Sequence, residues 1–212
     1  MNILKLFKKR RVRAQTEIPD KPERLEIVLS GSGGQGMILA GKILSEAASI
    51  YDTKEAVMAQ SYGPEARGGA SKAEIIISSQ SIYYPRVTQA DILLAMTQEA
   101  LDKYVMSLKK EGLLVVDDTF IKEVPQGFVN VFKAPFSALA IKLLNAPIVA
   151  NIIALGAIAA ITKIISREAL IQAVLARVPE KILVSDRMAI DTGFKLVNDS
   201  NFQWSKRSVN GK

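Results

Sequence analysis

A short apolar segment that runs through a glycine-rich turn into a helical pattern is the feature that most constrains this chain. Residues 25–30 are mainly apolar, residues 31–36 read Gly-Ser-Gly-Gly-Gln-Gly, and residues 37–48 carry apolar side chains at helical spacing. This order predicts a strand, a tight turn and a helix, the first unit of an α/β domain. Because glycines tolerate positive φ and the first amides of a helix lack partners within it, the turn can hold an anion or a polar group.

Apolar segments and helical patterns continue to alternate along the chain, and they predict its fold. Continuous apolar strands separated by helices are typical of a largely parallel sheet that is covered on both faces. We therefore predict an α/β, Rossmann-like fold with a mostly parallel sheet, helices on both faces and a helical C-terminal part. The predicted strands are 25–30, 54–60, 70–79, 91–95, 113–117 and 128–132, and the predicted helices are 37–50, 98–110, 136–144, 148–164, 167–177 and 184–197.

Two residue types that carry much of enzyme chemistry are missing from the sequence. Without cysteine the chain has no disulfide, no thiolate nucleophile and no cysteine-held iron–sulfur cluster. Without histidine it lacks the usual general acid or base and the commonest zinc ligand. We therefore expect any chemistry to be done with a partner or a cofactor.

Positive charge is concentrated at the two ends of the chain. The net charge is +7 overall, +5 over residues 1–24, +3 over residues 200–212 and −1 between them. The body therefore does not have the charge of a nucleic-acid-binding surface. We predict a basic, proline-containing tail or linker at 1–24, one domain at 25–198 and a polar basic tail at 199–212.

Neither the N-terminal segment of the chain nor its apolar segment 148–165 predicts membrane insertion. The first basic cluster follows its apolar neighbours, the reverse of a secretory signal, so we expect a cytoplasmic protein with a solvated tail or a tail that docks on an acidic surface. The very apolar segment 148–165 contains Asn151 and Lys163. A spanning helix needs roughly 20 apolar residues. We therefore predict a buried helix and no membrane span.

The glycine turn has the spacing of a dinucleotide-binding fingerprint, Gly31-x-Gly33-x-x-Gly36, in the right place after a strand. That fingerprint also needs an acidic residue at the end of the second strand, where this chain has Gln60-Ser61-Tyr62. NAD binding is therefore disfavoured, and a phosphate-binding P-loop is excluded because no Gly-Lys-Ser/Thr follows. The alternative is a turn in which glycine only allows close packing of strand and helix.

A second unusual feature is the loop 61–69, which lies between two predicted strands. It reads Ser61-Tyr62-Gly63-Pro-Glu65-Ala-Arg67-Gly68-Gly69. A guanidinium beside flexible glycines suits a phosphate, a carboxylate or a partner chain. An internal pair between Glu65 and Arg67 is the structural alternative. Because loops at the carboxyl ends of neighbouring parallel strands share one edge, we expect this loop to face the glycine turn.

Polar residues elsewhere favour structural roles. Asn151 enters an otherwise apolar helix, which is typical of an N-cap or a satisfied buried amide more than of a ligand contact. Asp117 and Asp118 end a predicted strand without a ligand pattern around them. We interpret them as a helix cap or a turn.

With these motifs together, the chain resembles the gamma subunits of 2-oxoacid:ferredoxin oxidoreductases. The resemblance covers about residues 25–195 and rests on the glycine turn, the loop from Ser61 to Ser71, the Ala90–Ala95 segment and the Asn151–Gly156 segment. The amino-acid sequence of this loop is more similar to that of the 2-oxoglutarate or general 2-oxoacid branch than to those of the pyruvate or indolepyruvate branches.

The resemblance implies a non-catalytic subunit of an enzyme that decarboxylates a 2-oxoacid and makes acyl-coenzyme A. It implies that thiamine diphosphate and iron–sulfur clusters lie on partner subunits, and that coenzyme A is a ligand this chain helps to cover or bind. The implied partners are alpha and beta subunits, a delta or ferredoxin-like subunit where one exists, and ferredoxin indirectly, with a homodimer for the isolated chain and no nucleic acid. The candidate ligand- or partner-binding residues are Gly31, Gly33, Gly34, Gln35, Gly36, Ser61, Tyr62, Gly63, Glu65, Arg67, Gly68, Gly69 and Asn151; no catalytic residue and no metal ligand is assigned.

Two departures from the family pattern leave other functions open. In the final helix, Asp186 and Ile190 stand where the family pattern has Asn and Phe, which leaves the C-terminal packing or a partner contact uncertain. The basic N-terminal extension also lies outside that pattern. The alternatives are a stand-alone nucleotide-binding, Rossmann-like enzyme and an adaptor subunit that has lost its ligand site.

Overall fold

Strands and helices alternate along the chain, as the sequence predicts. The computed structural model describes residues 24–61, 69–178 and 183–204. The strands are β1 (Arg24–Ser32), β2 (Glu55–Ser61), β3 (Ala70–Ser78), β4 (Ala90–Ala95), β5 (Leu108–Asp117) and β6 (Asn130–Ala134). The helices are α1 (Met37–Glu46), α2 (Gln98–Tyr104), α3 (Phe136–Leu144), α4 (Ala150–Thr162), α5 (Arg167–Leu175) and α6 (Leu183–Ser200).

The six strands form one sheet in the order β2-β3-β1-β4-β5-β6. Strands β1, β4, β5 and β6 are parallel, and β3 is antiparallel to both β1 and β2. Strand β2 therefore runs in the same direction as β1 but is separated from it by β3. The mostly parallel sheet of the predicted fold class is confirmed.

Helices cover both faces of the sheet and bury two apolar cores. On one face, Ile27 and Leu29 of β1 belong to a large cluster that includes residues of α1, α3, α4, α5 and α6. On the other face, Val28 of β1 lies in a smaller cluster with Leu101 of α2. Successive side chains of a strand point to opposite faces, so a continuous apolar strand supplies both cores at once.

Two element boundaries differ from the prediction. The helix predicted at 98–110 is wrong beyond Tyr104: a short 3-10 turn, Val105–Ser107, is followed directly by β5. Residues 109–111 read Lys-Lys-Glu, which favours a helix locally, but pairing of Leu108 with Ala90 at the start of the parallel ladder prevails. Strand β6 begins at Asn130, so the exposed Val129 precedes it and the buried Phe132 and Ala134 lie within it.

The end of the first helix also departs from a regular α-helix. After α1, the segment Ala47–Tyr51 forms a turn of π-helix that reaches Asp52. Asp52 accepts hydrogen bonds from the backbone N–H of Ser166 at 2.6 Å and from its hydroxyl at 2.7 Å. The hydroxyl of Ser166 also caps α5 by accepting from Ala169 N–H. This contact fixes α5 beside the end of α1.

The C-terminal helix α6 packs tightly on the apolar helix α4. A Cβ atom added at Gly156 would lie 2.6 Å from the carbonyl oxygen of Ile190, and one added at Gly193 would lie 2.7 Å from the backbone nitrogen of Ala157. Close approach of two backbones therefore requires glycine at both positions. Ile190 is fully buried in this contact. None of the described helices is both long enough and apolar enough to cross a membrane.

Candidate functional site

The glycine turn lies where the connections of the sheet change direction. From β1 the chain passes to α1 on one face, whereas from β4 it passes to α2 on the other face. The carboxyl ends of β1 and β4 are adjacent, and the N–H of Met96 donates to the carbonyl of Ser30 at 3.0 Å. Ligands of open α/β sheets bind at such a topological switch point. This edge of the sheet is therefore the place to look for a site.

The backbone of the turn depends on its glycines and on Gln35. Gly34 and Gly36 have φ values of 92° and 73°, which side chains other than glycine rarely adopt. The Gln35 side chain folds back, and its Oε1 accepts from the N–H of Ser32 at 2.8 Å. The N–H of Gln35 donates to the carbonyl of Ser32 at 3.2 Å and closes the turn. Gln35 therefore shapes the turn itself.

Helix α1 begins at this turn without a side-chain cap. Its N-cap is Gly36, and the first helical bond runs from Ala40 N–H to the Gly36 carbonyl at 2.9 Å. The amides of residues 37–39 thus have no acceptor within α1. No acidic residue lies in the first turn of the helix. The positive end of the helix dipole and these amides favour an anionic or carbonyl-bearing group.

Asn151 ties this turn to α4, and its role differs from a cap. It is the second residue of α4, whose N-cap is Val149, and it is 3% exposed. Its Nδ2 donates to the carbonyls of Gln35 and Gly36, at 3.2 Å each. Its Oδ1 is buried and has no hydrogen-bond partner within the described part of the chain. Of the two structural alternatives, the N-cap is wrong, and the buried amide is satisfied at its nitrogen but not, among the described residues, at its oxygen.

The two ends of the loop 61–69 lie at the same edge as the glycine turn. Ser61 ends β2, Gly69 precedes β3, and Ala70 pairs with Ser32 of β1. The hydroxyl of Ser71 donates to the carbonyl of Gly31 at 3.3 Å. The shared edge arises because the antiparallel β3 starts there, whereas we had expected β1 and β2 to be neighbours. Of the predicted loop residues, Tyr62, Gly63, Glu65, Arg67 and Gly68 lie outside the described residues.

The strand order also bears on dinucleotide binding. In the fingerprint, the acidic residue follows the strand that neighbours the glycine-turn strand. Here the antiparallel β3 occupies that neighbouring position, and β2 ends in Gln60 and Ser61. Asp52, an acid that precedes β2, is held by Ser166. No described carboxylate at the end of β2 is placed to hold a ribose.

Residues at the start of α2 complete the edge, and the sequence analysis did not single them out. Thr97 caps α2 by accepting from Ala100 N–H, and Glu99 accepts from the N–H of Ala70 at 3.3 Å. Gln98 binds the loop after β5: its Oε1 accepts from Lys122 N–H at 3.1 Å. A Thr before a helical pattern, with an acid in the first turn, is an N-cap signal. The sequence alone could therefore have identified Thr97 as the cap of α2.

Beyond Gln98 lies an open cavity of about 500 Å³. Its lining includes Gln98 and Asp102 of α2 and Phe120 and Lys122 of the loop after β5. Phe120 is half exposed, and the ammonium of Lys122 donates to the carbonyls of Asp118 and Thr119. The cavity contains none of the predicted site residues, so it lies apart from the glycine turn.

Asp117, at the end of β5, has the structural role that its position suggests. Its Oδ1 accepts from Thr119 N–H at 3.1 Å, and its Oδ2 accepts from Ser137 N–H at 3.2 Å in the first turn of α3. Both carboxylate oxygens are therefore used to form the turn and to begin the helix. Within residues 24–61, 69–178 and 183–204, no three carboxylates are gathered in a group that could hold a metal ion.

A family model places the chain among known proteins. Residues 26–196 match the model of pyruvate ferredoxin/flavodoxin oxidoreductase. The chain belongs to this family. The matched segment runs from β1 to the last turns of α6, so the glycine turn, both ends of the loop 61–69 and Asn151 all lie within it.

Two proteins similar to this chain agree with the family assignment. The chain is 45% identical over 178 residues to 2-oxoglutarate synthase subunit KorC of Methanocaldococcus jannaschii, covering 83% of this chain and 95% of that subunit. It is 49% identical, with a TM-score of 0.77, to the crystal structure of a keto/oxoacid ferredoxin oxidoreductase gamma subunit from Geobacter sulfurreducens PCA, covering 83% and 97% of the two chains. The predicted resemblance to gamma subunits, and the place of the chain as a subunit of an oxidoreductase, are confirmed.

A more distant relative supports the fold alone. The 2-oxoglutarate:ferredoxin oxidoreductase from Magnetococcus marinus, described with 2-oxoglutarate, coenzyme A and succinyl-CoA bound, is 24% identical with a TM-score of 0.73. The match covers 87% of this chain but 32% of that one. The family fold therefore also occurs as one part of a longer chain.

Proposed function

We propose that this chain is the gamma subunit of a cytoplasmic oxidoreductase that acts on 2-oxoglutarate and uses ferredoxin as electron acceptor. The observation that carries the proposal is the 45% identity to a 2-oxoglutarate synthase subunit over 95% of that subunit's length. The pyruvate synthase subunit PorC of the same organism is 30% identical over 154 residues. The higher identity to the 2-oxoglutarate subunit favours that substrate.

The reacting cofactors of such an enzyme belong to its other subunits in this proposal. The chain has no cysteine and no histidine, which are the residues that ligate iron–sulfur clusters. Thiamine diphosphate and the clusters then lie on alpha and beta subunits, and on a delta or ferredoxin-like subunit where the complex contains one. The role of this chain is to complete the assembly and to supply surface for binding.

The edge that carries the glycine turn is the surface we propose for coenzyme A or for the neighbouring catalytic subunit. It presents the first amides of α1, which have no acceptor within that helix, and both ends of the loop 61–69 meet it beside Gly31 and Ser32. Backbone donors at a helix N-terminus suit phosphate and carbonyl oxygens. The sequence of that loop includes Arg67, and a guanidinium is a charged donor for phosphate. The edge therefore offers donors to an anionic, amide-containing ligand.

Reconstitution tests the proposed activity. We expect the purified chain alone to be inactive, and the complex formed with its alpha and beta partners to reduce ferredoxin when given 2-oxoglutarate and coenzyme A. The control is the same complex assembled without this chain. Turnover by this chain alone, or a kcat/KM for pyruvate above that for 2-oxoglutarate, would contradict the proposal.

A substitution at the loop separates ligand binding from an adaptor role. We expect Arg67→Ala to raise the KM of the reconstituted complex for coenzyme A by about tenfold, the effect of losing one charge-assisted contact. Arg86→Ala is the matched control, because Arg86 is exposed in the loop before β4, at the opposite edge of the sheet. An unchanged KM in both variants, with normal assembly, would indicate an adaptor subunit without a ligand contact at this loop.

A further inference from the structure

Two side chains of helix α2 bind both backbone polar groups of Ala70. The carboxylate of Glu99 accepts a hydrogen bond from the N–H of Ala70, and the hydroxyl of Tyr104 donates to its carbonyl oxygen, each at 3.3 Å. Ala70 is 1% exposed, so water has little access to these groups. Buried backbone groups need partners within the protein. Helix α2 therefore fixes the first residue of β3.

The residue that α2 holds lies directly beside the glycine turn. Ala70 follows Gly69 at the start of β3 and pairs with Ser32 of β1. The next residue, Ser71, donates its hydroxyl to the carbonyl of Gly31 at 3.3 Å. These contacts are to the first two residues of the glycine turn. The hold of α2 on Ala70 is therefore passed on to the turn that begins α1.

Helix α2 is itself fixed on two sides at its start. Just before the helix, the N–H of Met96 donates to the carbonyl of Ser30 at 3.0 Å, and its Cβ lies 3.2 Å from where a Cβ of Gly31 would be. On the side of β5, Oε1 of Gln98 accepts from the N–H of Lys122 at 3.1 Å. The helix therefore has a fixed position from which to hold β3.

The ring of Tyr104 has contacts with β3 that do not depend on its hydroxyl. The ammonium group of Lys72, which lies in β3, is 5.3 Å from the ring centroid, and that of Lys103 is 5.7 Å from it. Such cation–π contacts are attractive. Lys72 also forms an ion pair with Glu74 of the same strand. Replacing Tyr104 by phenylalanine therefore removes the hydrogen bond to Ala70 and leaves the ring its other contacts.

We propose that Glu99 and Tyr104 are positioning residues for coenzyme A binding at this edge, because they hold residues 69–71 against the glycine turn. Neither residue is assigned a contact with the ligand. The inference rests on the proposed function, which makes this edge the binding surface. A surface that is fixed before binding loses less conformational entropy when the ligand binds. Loss of the two contacts therefore weakens binding and leaves the chemical step, which belongs to other subunits, unchanged.

The negative charge of Glu99 gives the test its sign. A carboxylate at this edge repels the phosphates of coenzyme A, so by charge alone Glu99→Ala should lower the KM for coenzyme A. Positioning predicts a higher KM, because the N–H of Ala70 loses its acceptor. Glu99→Gln removes the charge but keeps an oxygen that can accept the same hydrogen bond. This variant should therefore bind coenzyme A as well as the wild type does.

Kinetics of the complex reconstituted with alpha and beta subunits measure the effect. We expect Glu99→Ala and Tyr104→Phe each to raise the KM for coenzyme A by about fivefold, the value of one hydrogen bond, with kcat unchanged. Asp102→Ala is the matched control, because this exposed acid of α2 binds Gln98 of its own helix. An unchanged or lower KM in Glu99→Ala, a fall in kcat alone, or a Glu99→Gln variant as impaired as Glu99→Ala would overturn the proposal.

Hydrogen exchange of the isolated chain separates this inference from the proposed function. We expect the amides of residues 31–36 to exchange about tenfold faster in the double variant Glu99→Ala/Tyr104→Phe, because two hydrogen bonds that limit local opening are lost. Unchanged exchange there would overturn the positioning role even where the wild-type complex is active. Faster exchange together with an inactive wild-type complex would contradict the proposed function and support the hold of α2 on the turn.

Discussion

The side-chain amide of Asn151 donates to the carbonyl of Gly36 at 3.2 Å, joining residues 115 positions apart. The same Nδ2 donates to the carbonyl of Gln35. One side chain therefore connects the second residue of α4 to the residue that begins α1. The glycine turn is therefore held in place by helix α4 as well as by the sheet.

Removing this amide should loosen the turn. We expect Asn151→Ala to lower the free energy of unfolding by about 1–2 kcal/mol, the net value of one or two buried hydrogen bonds. Urea unfolding measures the loss. The control is Asn198→Ala on the exposed face of α6, which should change stability by only a few tenths of a kcal/mol. Equal effects of the two substitutions would show that the Asn151 contacts contribute nothing.

Two glycines of the same turn should respond differently to alanine. Both have positive φ, so either substitution should cost about 1 kcal/mol or more in backbone strain. A Cβ atom at Gly34 meets no atom within 4 Å, whereas one at Gly36 would lie 2.5 Å from Nδ2 of Asn151. We therefore expect Gly36→Ala to be the more destabilising by about 1 kcal/mol, because it also displaces a hydrogen-bonded amide. A larger loss for Gly34→Ala in thermal unfolding would contradict this account.

Much of the fold follows from local pattern, and the exceptions have a physical reason. The glycine turn and the apolar strands β1 and β4 carry their structure in sequence, because burial on both faces leaves a continuous apolar segment. The antiparallel direction of β3 could not be predicted in this way. Its apolar residues read like those of a parallel strand, and only the short connection between β2 (Glu55–Ser61) and β3 (Ala70–Ser78) marks the hairpin. A connection too short for a crossover was the available signal.

The position of the glycine turn could be predicted from sequence, but the residues that contact it could not. The turn 31–36 was found because glycine spacing after a strand is a local signal. The contacts of Asn151 with Gln35 and Gly36 could not be found, because they join distant segments and depend on how α4 packs. Its unpaired Oδ1 likewise has no signature in sequence. The residue types at the turn could therefore be recognised in the sequence, whereas the contacts between distant segments could not.

The crossing of α4 and α6 gives a third prediction. Gly-to-Ala substitution inside a helix ordinarily stabilises it by about 1 kcal/mol. Gly193→Ala should instead destabilise the protein by about 3 kcal/mol, because its Cβ would lie 2.7 Å from the backbone nitrogen of Ala157, and backbone cannot move aside cheaply. Lys195→Ala, at an exposed position of the same helix, is the control and should be nearly neutral. Thermal unfolding of both variants measures the difference, and an unchanged or higher melting temperature for Gly193→Ala would show that the helices can separate without loss.

Burial raises the pKa of the Asp186 carboxyl from 3.8 to about 6. The residue is 1% exposed, and its Oδ2 has no hydrogen-bond partner within the described ranges. It lies in α6, two turns before Gly193. The folded state therefore holds the proton of Asp186 more tightly than the unfolded state does.

Stability should consequently fall as the pH rises from about 4 to about 6 and level off above that. Below the unfolded pKa the carboxyl is neutral in both states, and above the folded pKa the buried charge costs up to about 2–3 kcal/mol, since one pKa unit is about 1.4 kcal/mol. Asp186→Asn removes this charge. We expect the variant to match the wild type near pH 4 and to be more stable by about 2 kcal/mol at pH 7.5 in urea unfolding. Asp199→Asn, at an exposed position of the same helix, is the matched control for replacing an acid by its amide. Parallel pH profiles for Asp186→Asn and the wild type would mean that the buried carboxylate finds a partner when it ionises.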